Sequence, residues 1–143
     1  MINEQLFKEA LALIEKKLHS KAIPILSTVT ASQPELDQAW LHLSKCYEAI
    51  GDVDNQSQAY KQFEMIAWFN QQLTLAKDDL SKNEFKNTQK RIQQLLKLVP
   101  NEKRCLLLLS DAALKASDLQ TYLKVSEYNY NCYPTSLLLF LII

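Results

Sequence analysis

Glycine is almost absent from this chain: one residue in 143, at Gly51. Proline is scarce too, with four. A sheet-rich chain needs glycine at many tight turns, so the shortage argues against a β fold and favours helices joined by short loops. A single glycine also excludes a glycine-rich phosphate-binding loop. No excess of either charge exists: 16 Lys and Arg balance 16 Asp and Glu. That removes the simplest electrostatic basis for holding nucleic acid or an anionic membrane. The three cysteines, Cys46, Cys105 and Cys132, include no CxxC pair. An odd number so widely spaced reads as reduced, buried thiols in a reducing compartment, the cytoplasm. The start, MINEQLFKEA, carries acidic and polar residues and does not read as a secretory signal. The apolar ending from Leu137 to Ile143 is seven residues long, against the roughly 20 of a membrane-spanning helix.

What is present is periodic. Pro100 and Pro134 are 134−100 = 34 residues apart, and Pro34 and Pro100 are 100−34 = 66 apart. Proline lacks an N–H and pushes the preceding residue out of the α region, so each one closes a helix-like stretch. Between them apolar residues recur at helical spacing. One stripe is Leu6, Ala10, Leu13 and Ile14, and the next is Ala22, Leu26 and Val29. Leu36, Trp40, Leu43, Tyr47 and Ile50 form a third, and Ala59, Tyr60 and Phe63 a fourth. Later stripes run through Phe85, Ile92, Leu95 and Leu96, then Leu106, Leu109, Ala113 and Leu114, then Leu119, Tyr122, Leu123 and Val125. In residues 70–82 two phases compete: Leu75 and Ala76 inward with Asp79, or Leu73, Ala76 and Leu80 inward with Lys77. The second is preferred. Turn signals at His19-Ser20, Gly51-Asp52, Lys82-Asn83 and Ser117-Asp118 separate partners, since Gly and Asn tolerate the left-handed conformation and Ser and Asp cap helices. The reading is all-α: eight helices in four hairpins, about 3–18/20–33, 35–50/53–67, 70–82/84–98 and 102–116/118–132.

Trp40, Leu43, Ser44, Tyr47 and Gly51, followed by Ala59-Tyr60, resemble the motif of the tetratricopeptide repeat, a helix–turn–helix unit of 34 residues. Leu106, Leu109, Ser110, Ala113 and Pro134 fit a further unit, and Leu6, Ala10, Leu13, Ala22, Leu26, Val29 and Pro34 another. The resemblance covers about residues 3–134. It implies a right-handed α-solenoid in which stacked hairpins bury one another's apolar faces. Gln56, Phe63 and Tyr122 depart from small positions of the motif, and Trp68 stands in place of a closing proline.

No catalytic constellation has recognisable spacing. His19 falls in an expected turn, and His42 falls on the outward side of the Trp40 stripe. His42 and Cys46 are i and i+4, but the expected reading is a buried thiol beside an outward imidazole rather than a metal pair. No metal and no cofactor are expected. The resemblance implies that first helices line a concave face that holds a peptide or a partner's helix. Candidates there are Gln38, Leu41, His42, Lys45 and Glu48 in the second hairpin, Arg104, Leu107, Leu108, Asp111 and Lys115 in the fourth, and Glu4, Phe7, Lys8 and Leu11 in the first. Apolar residues with scattered cations suit a partner with acidic and apolar groups, its carboxylates meeting Lys45 or Arg104. Phe7 and Leu11 stand where family members that clamp acidic chaperone tails carry Lys and Asn, which argues against that ligand. Tyr128, Tyr130 and Tyr133 form an aromatic cluster without a nearby Lys or Arg, a poor fit to nucleic acid.

The expected function is therefore a non-catalytic protein- or peptide-binding scaffold or adaptor. Two other readings fit the resemblance. One is an N-terminal accessory domain of a larger bacterial enzyme, such as a sulfotransferase-type transferase. The other is a small chaperone of the secretion type. The apolar residues 135–143 motivate two ideas: the start of a further helix in a longer chain, or self-association through Leu137 to Ile143.

Overall fold

The computed structural model describes residues 2–132, with the side chains of residues 3–127. Pro134, the segment from Leu137 to Ile143, and the side chains of Tyr128, Tyr130, Cys132 and Tyr133 lie outside the described residues. The described part is all-α: α1 (Ile2–Glu15), α2 (His19–Ser32), α3 (Asp37–Ile50), α4 (Val53–Ser81), α5 (Phe85–Leu98), α6 (Lys103–Lys115) and α7 (Leu119–Cys132).

One turn is built four times. Lys17, Gly51, Asn83 and Ser117 have φ of 59°, 79°, 62° and 58°. At each, the left-handed residue's N–H and the next N–H bond back to the helix: Lys17 to Ile14 and Leu18 to Leu13, Gly51 to Glu48 and Asp52 to Tyr47. Asn83 to Leu80 and Glu84 to Asp79, then Ser117 to Leu114 and Asp118 to Ala113, repeat the pattern. These are Schellman turns, which satisfy the last carbonyls of a helix. Their spacing is 51−17 = 34, 83−51 = 32 and 117−83 = 34. Asp52 and Asp118 then cap the following helix, their carboxylates accepting from the N–H of Asn55 (3.2 Å) and Thr121 (3.1 Å).

Seven residues before each turn sits a small, buried side chain: Ala10, Ser44, Ala76 or Ser110. Twelve residues further on, the second helix of the hairpin presses against it. The Ser44 hydroxyl donates to the Gln56 carbonyl (3.2 Å), and the Thr88 hydroxyl approaches the Ala76 carbonyl (3.4 Å). Small residues at this crossing let the backbones approach.

Several expectations needed correction. Helices four and five of the expected eight are one: α4 runs unbroken for 29 residues. The turn expected at His19-Ser20 lies earlier, at Lys17, so His19 opens α2. Ile50, Tyr60, Leu114, Leu119 and Leu123, placed in apolar stripes, are exposed. Among the described side chains of α7, Val125 is the buried one. At 100° per residue, Leu119 and Leu123 then fall on another side of the helix. In the disputed stretch Leu73 and Ala76 are buried, Asp79 and Leu80 are half-buried, and Leu75 and Lys77 are exposed, so the buried face matches neither expected phase as a whole.

By internal packing the chain divides into two compact units, residues 1–70 and 71–143. In the first, α1 packs on α2 and α2 on α3 around Ala10, Ala22, Leu26, Leu43, Cys46 and Ala59. In the second, α5 packs on α6 and α6 on α7, burying Ile92, Leu95, Cys105, Leu106 and Leu109. Here the first helix of the third hairpin, the C-terminal part of α4, is tied polarly: Arg91 donates to Asp79 (3.1 Å) and to Gln72 (3.0 Å).

Candidate functional site

The first-helix face of the unit formed by residues 1–70 brings two expected residues together. Phe7 of α1 and His42 of α3 meet edge to face, ring centroids 5.9 Å apart at 63°. His42 is half-buried there. Burial, and secondly the charge of Lys45, hold its imidazole below the ordinary value. At neutral pH the ring is thus a neutral, partly apolar surface. Leu41 and Leu11 are half-buried, while Gln38, Lys45 and Glu48 are exposed on the same helix faces. Lys8 pairs with Glu4 at 3.6 Å, an exposed i,i+4 pair of small energetic weight. Cys46, one turn beyond His42 on α3, is buried, its thiol pushed up by burial, as expected for an inert core thiol.

In the second unit the expected residues behave differently. The Arg104 guanidinium donates to the Glu102 carboxylate (2.6 Å), whose other oxygen accepts from the Cys105 N–H (2.9 Å). Arg104 is therefore engaged in the N-cap of α6 rather than presented as a bare cation. Burial and the adjacent Glu102 push the Cys105 thiol up to about 12. Asp111 pairs with Lys115 at 3.5 Å. Leu107 is exposed and Leu108 half-buried.

Sequence reasoning missed a cleft of about 500 Å³ elsewhere in residues 1–70. Ser27 and Thr30 of α2, Trp40, Leu43 and Tyr47 of α3, and Asn55, Gln58, Ala59, Lys61 and Gln62 of α4 line it. The apolar stripe places Trp40 and Tyr47 in the core, yet both are half-buried and line this cleft. Ser27, Thr30 and Ala59, which line it with these rings, are small. Ala59 and Thr30 are legible as small residues in the sequence, but their lining one cleft with Trp40 is a tertiary fact.

His19, placed in a turn by the sequence, opens α2. It is half-buried, and its Nδ1 is buried without a hydrogen-bond partner. Among the described residues no group of three or more His, Cys, Asp or Glu is placed to hold a metal, and no helix is long and apolar enough to cross a membrane.

Neither a family model nor a curated protein matches this chain. Two solved structures are similar to it over most of its length. One is described as the MamA RS-1 ArsTM double mutant: 10% identity, TM-score 0.44, 92% of this chain and 75% of that one. The other is PilW, described as a widely conserved type IV pilus biogenesis factor: 12% identity, TM-score 0.44, 94% of this chain and 63% of that one.

Proposed function

We propose that this chain is a non-catalytic module that binds a protein or peptide partner through the exposed side chains of its first helices. The observation that carries this reading is the hairpin repeated with the same turn. It buries the small residue of each first helix and leaves the side chains beside it, such as Leu41 and Lys45, outside the core. A mixed surface of Leu41, the Phe7–His42 pair and Lys45 suits a partner segment with apolar and acidic groups. Lys45 makes no ion pair among the described residues, so its charge is available. The buried free thiols Cys46 and Cys105 support a reducing setting, the cytoplasm.

The test is affinity purification with the wild-type chain and with Leu41→Glu/Lys45→Glu, after circular dichroism shows equal helicity. Proteins recovered by the wild type are expected to be lost from the variant. An identical set recovered by both removes this face from the proposal.

A further inference from the structure

We propose that the cleft between α2, α3 and α4 is a second binding site, and that its occupant is an extended acidic peptide with an apolar side chain beside its carboxylates. The site is separate from the face that carries Leu41, His42 and Lys45, so the two readings can fail independently.

The floor is apolar and fixed. Buried Leu43 and Ala59 line it together with the half-buried rings of Trp40 and Tyr47. The Trp40 indole N–H donates to the Pro34 carbonyl at 3.0 Å, which sets the ring's orientation and leaves a face to pack on. A single apolar side chain seated there would lose water on several sides.

The rim is polar and has one sign of charge. Among the described residues Lys61 is the only charged one lining the cleft, and it makes no ion pair or side-chain hydrogen bond. Among the described residues no Asp or Glu lines the cleft; the nearby Asp52 carboxylate is taken up by the N–H and side-chain amide of Asn55. The site therefore attracts carboxylates and disfavours cationic segments.

Gln58 and Gln62 share the rim, both exposed and also without an internal partner. They are i and i+4 on α4, so their Cβ atoms stand roughly 5–6 Å apart. An extended peptide presents backbone groups on one side every two residues, about 6.6 Å. Each side-chain amide offers both a donor and an acceptor, the complement of a peptide unit. A peptide running along α4 would thus set its backbone on the two glutamines, its apolar side chain on the Trp40 floor, and a carboxylate on Lys61. Residues 128–143 of a second copy are a weaker candidate, because they contain no Asp or Glu.

The test uses the full chain in a Trp68→Phe background. Trp68 does not line the cleft, and its removal leaves Trp40 as the sole indole. The probe is the capped peptide acetyl-Glu-Leu-Asp-Phe-Glu-amide, compared with its Gln/Asn isostere by Trp emission at low and physiological salt. The expected result is a saturable emission change, with the isostere about fivefold weaker. Gln58→Ala/Gln62→Ala, both at exposed positions, should weaken the acidic peptide about tenfold. Lys61→Gln should erase the difference between the two peptides. Leu41→Glu/Lys45→Glu should leave the titration unchanged. No saturable change, equal binding of the isostere, or a difference that survives Lys61→Gln would each overturn the proposal. So would loss of binding in the Leu41→Glu/Lys45→Glu variant, which would move the peptide to the other face.

Discussion

The joints inside hairpins and the joints between hairpins follow different rules. Inside, the same Schellman turn recurs at Lys17, Gly51, Asn83 and Ser117, although only one of these is glycine. Between hairpins, α2 to α3 and α5 to α6 use one design. Gln33 and Val99 bond back to Val29 and Leu95, and Pro34 and Pro100 follow directly. The third such joint, where α4 passes from one hairpin to the next, does not exist as a loop. Trp68 stands where the proline would be, and α4 continues as helix. Hydrogen bonding alone can impose a turn inside a hairpin on an unsuitable residue. The turn between hairpins forms where proline removes the helical alternative.

The strongest way to break this comparison is Trp68→Pro. It restores the residue the repeat motif expects, yet it is expected to cost about 3 kcal/mol, because proline inside a continuous helix loses a hydrogen bond and clashes with the preceding turn. Urea unfolding with helical ellipticity measures it; a neutral or stabilising result would mean that α4 readily accepts a break. Next comes the hairpin turn. Gly51→Ala meets open space for its Cβ, so only the left-handed backbone opposes it, at about 1 kcal/mol. Ser117→Gly should move in the opposite direction by a similar or smaller amount. If both changes are neutral, the turns are not under backbone strain.

The smallest effect concerns acid. Hydrogen bonds from Thr121 and then Gln89 hold the Asp118 carboxyl below the ordinary carboxylate range. Because the folded value is the lower one, its contribution is full above the unfolded value of about 3.9 and fades as pH falls through the folded value. Asp118→Asn should therefore flatten the acid side of the Tm–pH curve between pH 5 and 2. An unaltered acid limb would show that the cap carries no charge-dependent stability.

Much of the fold was legible because the hairpin needs few residues to declare itself. Gly51, the prolines and the small residues at 10, 44, 76 and 110 are local signals. The fusion within α4 was less legible, since Trp68 in place of proline reads as a departure from a motif rather than as a missing turn. Phase in residues 70–82 was ambiguous because Gln72 and Asp79 occupy places that Trp40 and Tyr47 fill one hairpin earlier. Arg91, from α5, satisfies both, and apolar periodicity has no access to that partner. Lys17 was missed as the turn because its left-handed φ is imposed by the two bonds to Ile14 and Leu13, not by its side chain. On the site side, sequence spacing grouped His42 and Lys45, and the structure adds Phe7 against the imidazole. The cleft was hidden because Trp40 and Tyr47 look the same in sequence whether they are covered or open.

The recurring turn also has a consequence for heredity. A stretch from one left-handed residue to the next, such as 17 to 51, begins and ends in the same backbone geometry, closed by bonds that reach no further than five residues back. Such a segment can be copied in frame within a gene, and each copy starts with its own folding instructions. Divergence can then rewrite its side chains, as Trp40 and Gln72 show, without rewriting the joint.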